Sequence, residues 1–132
     1  MQFKISLLAL LISFSSINST SAQDSEIRSL FQKMERVLTT RDLNGVMEIW
    51  SAQGELFTLA GGIFKGHTEI RELFNQSFSG TYKEAKYEFF IQNVRLTDSD
   101  HASVDGVWKV TNGGPPNYPS CGIFLYLLSR EN

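Results

Sequence analysis

The sequence has little cysteine, little proline and almost no excess of charge of either sign. Its 132 residues include one cysteine, Cys121, and three prolines, and the formal net charge is −2. A single cysteine cannot form an intramolecular disulfide, which excludes a small disulfide-stapled protein. A slightly acidic chain also lacks the positive surface needed to bind a phosphate backbone or an anionic lipid surface, so we expect no nucleic-acid partner.

Motifs for metal, nucleotide or nucleophilic chemistry are missing as well. The sequence contains no glycine-rich phosphate loop between a strand and a helix and no Gly-x-Ser-x-Gly motif. The two histidines, His67 and His101, lie far apart with no carboxylate at ligand spacing, which predicts no metal site. We expect no cofactor. His67 is expected to cap a helix or face solvent, with an acid–base role as the alternative, and His101 to lie in a solvated turn. Cys121 is expected to be a buried structural thiol.

The first 22 residues have the composition of a removable leader. Lys4 precedes an apolar run from Ile5 to Phe14, and small residues follow as far as Ala22. The run is about half of the ~20 residues that a membrane-spanning helix needs, which favours a signal peptide over a permanent anchor. We therefore predict cleavage after Ala22 and a secreted or periplasmic protein, with no membrane association after cleavage. The mature part, 23–132, is predicted to be one domain.

Apolar residues recur every three or four positions in three segments, which predicts three amphipathic helices. These segments are 24–40, 42–50 and 66–80. Asp42 is predicted to cap the second helix, and Gly80 is predicted to end the third.

Segments of strand character fill the remainder of the chain. A hairpin is predicted from 55–60 and 63–65, and long antiparallel strands are predicted at 83–96, 102–111 and 121–128. Helices followed by a meander of strands predict an α+β domain with the helices on one side of an antiparallel sheet.

Several short motifs follow one another in a fixed order along the mature chain. They are Asp42 with Trp50, Gly62–His67, Val94–Leu96, Ala102–Val104, Trp108 and Gly122–Phe124. In this order they resemble the nuclear transport factor 2-like superfamily, in the branch called SnoaL-like or SgcJ/EcaC-like. The resemblance implies a curved sheet wrapped around three helices as a cone-shaped barrel with an apolar cavity. It also implies one more strand after the position of Ser129, so the final strand is expected to be missing from this sequence or supplied by another chain.

The polar turn at 97–101 sets a register between the two long strands that it joins. This register places Phe90 opposite Trp108 on one face of the sheet and Asn93 opposite Asp105 on the other. The apolar phase shifts from odd to even positions within the first of these strands. The shift predicts a β-bulge near Phe90 to Gln92.

Asn93, Arg95 and Asp105 are the candidate catalytic residues, and two interpretations of them stay open. In one, they form a polar patch in which apolar neighbours raise the pKa of Asp105, so that it acts as a general base. In the other, which we favour, Arg95 and Asp105 form an exposed ion pair on a dimer face.

Five aromatic residues are the candidate ligand-binding residues, because they fall on elements that are expected to face one another. They are Trp50, Phe57, Phe90, Trp108 and Tyr126. The sequence thus predicts a domain that binds a small apolar or aromatic molecule and forms a homodimer. The alternatives are a cofactor-free lyase or isomerase of the SnoaL or ketosteroid-isomerase type, and a dimerising assembly module; whether the protein is an enzyme is left open.

Overall fold

The computed structural model describes residues 2–6 and 21–131. Its elements are, in chain order, β1 (Gln2–Ile5), α1 (Ser21–Thr40), α2 (Leu43–Ile49), β2 (Glu55–Phe57), β3 (Ile63–Lys65), α3 (Gly66–Ser79), β4 (Lys86–Leu96), β5 (His101–Thr111) and β6 (Cys121–Glu131). Within this part of the chain, four antiparallel strands form one sheet in the order β1-β6-β5-β4, and β2 and β3 form a separate hairpin. The two edge strands, β1 and β4, do not pair with each other, so the curved sheet is open. The predicted α+β class is confirmed.

The three helices pack where their apolar stripes predict. The stripe on α1 is buried, with Ile27, Phe31 and Val37 at most 3% exposed. Asp42 caps α2 as predicted, because its side chain accepts a hydrogen bond of 3.0 Å from the backbone N–H of Gly45. None of the helices described here is long and apolar enough to span a membrane.

A β-bulge in β4 confirms one prediction and corrects another. The predicted register holds between Asn93 and Leu96, and Asn93 lies opposite Asp105. On the N-terminal side of Asn93, the register shifts by one residue between Ile91 and Asn93. Before the bulge in chain order, Phe89 lies opposite Trp108, and Phe90 lies opposite Val107. The prediction that Phe90 and Trp108 share a face is wrong, because the extra residue of the bulge reverses the phase of the strand.

The start and end of β6 also differ from expectation. Cys121 is exposed at the first position of the strand, so its prediction as a buried thiol is wrong. The strand continues to Glu131, and residues 128–131 pair with β1. The edge of the sheet beside β6, where a missing strand was expected, is thus occupied by Gln2–Ile5.

The β1 strand belongs to the segment that the sequence predicts to be a leader. Phe3 and Ile5 are each 1% exposed and pack in the main hydrophobic core. Residues 1 and 7–20 of that segment lie outside the described residues. Cleavage of a signal peptide after Ala22 therefore stays a prediction.

Candidate functional site

A cavity of about 720 Å³ lies between the helices and the concave, inner face of the sheet. Aromatic rings dominate its wall, among them Trp50, Phe64, Phe89, Trp108 and Tyr126. Its volume lies in the range of pockets that enclose small organic molecules, roughly 300–1,000 Å³. The inner face of the sheet and the helices thus enclose a largely apolar cavity of this size.

Four of the five predicted ligand-binding residues line this cavity. They are Trp50, Phe57, Trp108 and Tyr126. Phe90 does not, because the bulge turns its ring to the convex, outer face, where it is 53% exposed. Phe89 takes its place in the wall and meets Phe124 edge to face, with ring centroids 5.6 Å apart.

Tyrosines supply polar groups to the cavity wall. Tyr82, Tyr87 and Tyr126 all line it. Burial raises the pKa of Tyr126 to about 12, and burial is also the main cause of the rise in the pKa of Tyr87 to about 12. Because burial disfavours the charged phenolate, both hydroxyls stay protonated at physiological pH and remain available as hydrogen-bond donors.

Glu55 is the one charged side chain among the described residues that line the cavity. Its Oε1 atom lies 3.1 Å from the ammonium group of Lys65, across the β2–β3 hairpin. The carboxylate is therefore neutralised by an ion pair within the hairpin.

The candidate catalytic residues lie on the outer face of the sheet. Asp105 accepts a hydrogen bond of 2.8 Å from the amide of Asn93 and a second one from the guanidinium of Arg95. These two bonds lower the pKa of Asp105, whereas the general-base hypothesis requires a raised pKa. The three residues are absent from the described cavity wall. The cluster is an exposed, ion-paired feature outside the described cavity wall, as in the interpretation that we favoured. Its catalytic role stays a prediction.

The histidines lie outside this cavity. The Nε2 atom of His67 is 2.6 Å from the carbonyl oxygen of Trp50, so the ring joins the start of α3 to the end of α2. The Nδ1 atom of His101 is 2.9 Å from Asp98 in the exposed turn before β5. Among the described residues, no group of three metal-ligating side chains is close enough to hold an ion.

The sequence interpretation missed Phe89, Tyr87 and Phe64 as residues of the cavity wall. A signal for the first two was present, because odd-numbered positions of β4 are apolar before the bulge. Phe64 alternates with exposed neighbours in the three-residue strand β3, which is too short for periodicity to define a face.

No protein-family model and no curated protein matches the sequence. Solved structures do match. A protein of unknown function with a cystatin-like fold from Nostoc punctiforme PCC 73102 gives a TM-score of 0.74 at 19% identity, over 88% of this chain and 86% of the other. An NTF-2-like protein of unknown function from Shewanella oneidensis MR-1 gives 0.70 at 19% identity, over 83% and 88%. A hexachlorocyclohexane dehydrochlorinase of type 2 gives 0.60 at 18% identity, over 67% of this chain and 60% of the other.

Identities of this size show a shared fold and leave the function open. The TM-scores of 0.60 to 0.74 show that these neighbours share the overall arrangement of helices and sheet. The chain therefore has the nuclear transport factor 2-like, or cystatin-like, α+β fold that its sequence motifs resemble.

Proposed function

We propose that this protein binds a small, uncharged and largely apolar molecule in the cavity between its helices and its sheet. The observation that carries the proposal is the cavity of about 720 Å³ with its aromatic wall. Burying apolar ligand surface there is favourable by roughly 25 cal/mol per Å². An unpaired ionic group would be costly in such a wall, which favours a neutral ligand.

The tyrosine hydroxyls define the polar part of this ligand. Tyr126 and Tyr87 are protonated donors in an apolar wall. A carbonyl or ether oxygen would accept their hydrogen bonds, and each such bond contributes about 1 kcal/mol. The ligand class is thus a planar or cyclic hydrocarbon skeleton that carries a hydrogen-bond acceptor.

A matched pair of ligands tests this assignment. The ligands 2-acetylnaphthalene and 2-ethylnaphthalene have nearly the same shape, but only the first carries a carbonyl acceptor. We expect both to change the fluorescence of Trp50 and Trp108, and the ketone to bind about fivefold more tightly, as expected for one hydrogen bond of about 1 kcal/mol. Tyr126→Phe should remove the difference while retaining hydrocarbon binding.

Variants in the wall and on the outer face provide the control. Trp108→Ala should abolish binding of both naphthalenes, whereas Phe90→Ala, which removes an aromatic ring from the outer face, should leave binding unchanged. A parent protein whose tryptophan fluorescence responds to neither compound nor to a wider panel of neutral aromatic molecules contradicts the proposal.

Two observations favour the lyase alternative. The structure is similar to a protein described as a hexachlorocyclohexane dehydrochlorinase, and Glu55 places a carboxylate in the cavity wall. A base there would have to leave its ion pair with Lys65 before accepting a proton. This alternative is established if the protein shows turnover and Glu55→Gln abolishes it without weakening naphthalene binding. The control is Asp105→Asn on the outer face, which should leave turnover unchanged.

We also propose that the protein forms a homodimer through the outer face of its sheet. Ile123 is 85% exposed, Leu125 60% and Phe90 53%, and all three lie on the long strands β4 and β6. Exposed apolar side chains that cluster on one face are typical of a surface that a partner covers. A second copy of the same face fits as the partner, because a twofold axis brings the same apolar surface of each copy together. Light scattering at micromolar concentration tests this proposal.

A further inference from the structure

The edge of β6 holds a short strand from the other end of the chain. Gln2–Ile5 pairs with Leu128–Glu131 in antiparallel register, and the N–H of Ser6 donates to the carbonyl of Leu127 over 2.8 Å. On the opposite side, the carbonyl oxygen of Ile5 accepts a hydrogen bond of 3.0 Å from the N–H of Ser51. The strand thus lies in a slot between the sheet edge and the segment after α2.

The slot selects side chains at alternate positions. Phe3 and Ile5 point inwards and are almost completely buried, and the guanidinium of Arg130 lies 4.4 Å from the centre of the Phe3 ring. The residue between them, Lys4, points outwards and places its ammonium group 3.6 Å from Glu131. The bound segment therefore has the pattern apolar–basic–apolar.

The strand in the slot belongs to the predicted leader, and the predicted cleavage site is accessible. Ala22 is exposed at the start of α1. Cleavage after it would separate Gln2–Ile5 from the domain. The edge of β6 and the N–H of Ser51 would then lose their partners, next to two apolar pockets, and such an edge is a template for another strand.

We propose that this slot is a peptide-binding site of the processed protein, in which an extended segment of a partner protein with the pattern apolar–basic–apolar adds to β6. This inference rests on cleavage of the leader and is independent of the ligand proposed for the cavity. Main-chain hydrogen bonds to β6 supply sequence-independent affinity. The pockets of Phe3 and Ile5, together with the carboxylate of Glu131, supply specificity.

The binding test uses protein purified from the exported fraction, with its N-terminus at Gln23 verified by intact mass. The probe is an acetylated, dye-labelled peptide that carries the sequence of residues 2–6, and its fluorescence anisotropy is measured. We expect saturable binding and a higher thermal unfolding midpoint in the presence of the peptide. The matched control is the same peptide with Phe3→Ser and Ile5→Ser, which should bind at least about tenfold more weakly because it fills neither pocket.

Two further arms test where the peptide binds. A Lys4→Glu peptide should bind several-fold more weakly to the parent protein, and Glu131→Lys in the protein should restore its binding, because the substitution reverses the charge of the partner. The full chain, produced without export, should not bind the peptide, because its own β1 strand fills the slot.

Four results would overturn the proposal. They are an exported protein that retains residues 1–22, equal binding of the serine-substituted peptide, full-chain binding as tight as that of the processed protein, and a processed protein that is unfolded with and without peptide.

Discussion

The inner and outer faces of the same three strands differ sharply in what they present. On the inner face, Phe89, Trp108 and Tyr126 form the wall of a cavity. On the outer face, Asp105 and Arg95 form an ion pair beside exposed apolar side chains. Alternation along a strand sends neighbours to opposite faces, so a shift of one residue decides whether a ring lines the cavity or lies on the outer surface.

The bulge in β4 creates this difference at two adjacent phenylalanines. Gly106 on β5 makes room for it, because a Cβ atom at that position would collide with the carbonyl oxygen of Phe90 and lie 3.0 Å from the ring of Phe124. The backbone of the bulged strand therefore approaches β5 more closely than a side chain allows. Glycine at this one position sets the phase of half of β4.

The largest expected effect comes from filling that space. Gly106→Ala should lower the free energy of unfolding by about 3 kcal/mol or more, because backbone atoms must move to relieve the collision. Ser103→Ala, on the outer face of the same strand, should change it by less than about 0.5 kcal/mol. Chemical denaturation of both variants measures the difference. Equal stability of the two would mean that the bulge does not depend on Gly106.

The two phenylalanines provide the next test. Phe89→Ala should cost about 2–4 kcal/mol of stability, since it removes a ring packed against Phe31 and Phe124. Phe90→Ala should cost less than about 1 kcal/mol, because its ring is half exposed in the monomer. Urea denaturation at submicromolar concentration, where association is minimised, compares them. The opposite ranking would show that the predicted register, without the bulge, is the correct one.

Self-association should respond to the outer face alone. Ile123→Glu is expected to weaken the proposed homodimer by about 1–3 kcal/mol, or roughly 5- to 150-fold, by burying a charge at the contact. Binding of 2-acetylnaphthalene should be unchanged. Sedimentation equilibrium measures the dissociation constant. A parent protein that is monomeric at all accessible concentrations contradicts the homodimer proposal. The control is Lys109→Glu, at another exposed position on this face, which tests whether a change of charge alone weakens the homodimer.

The smallest effect is expected from acid. The folded pKa of Asp105 lies below its ordinary value of 3.8 because of its bonds to Asn93 and Arg95. Its contribution to stability is therefore present above about pH 4 and is lost as the pH falls through the lower, folded pKa. Because the pair is exposed, this contribution should be below about 1 kcal/mol. Asp105→Asn should flatten the dependence of the unfolding free energy on pH below pH 4.

How much of the molecule could be predicted varied with the strength of the local pattern. Short-range rules predict the apolar stripes of α1 and α3, the cap at Asp42 and the register at Asn93. All of these predictions are confirmed. The bulge was predicted, but its effect on Phe90 was not, because the exact position of an extra residue depends on a contact with Gly106 on another strand.

Two regions could not be predicted from local patterns at all. The pairing of β1 with β6 joins positions more than 120 residues apart, and the alternation of Phe3, Lys4 and Ile5 is too short to specify such a partner. The exposure of Cys121 depends on the outer face of β6 being uncovered in the monomer. Both properties are set by tertiary contacts.

The composition of the cavity wall has a consequence for weakly acidic ligands. Among the described residues that line it, there is no lysine, arginine or histidine to pair with an anion, and the nearby ammonium group of Lys65 is already paired with Glu55. The tyrosine hydroxyls with a pKa of about 12 remain neutral across the physiological range. The cavity should therefore accept an aromatic carboxylic acid only in its protonated form. The apparent affinity for such an acid would then fall roughly tenfold for each pH unit above the acid's own pKa. The pH of the surroundings would thus control ligand binding through the ligand's own titration.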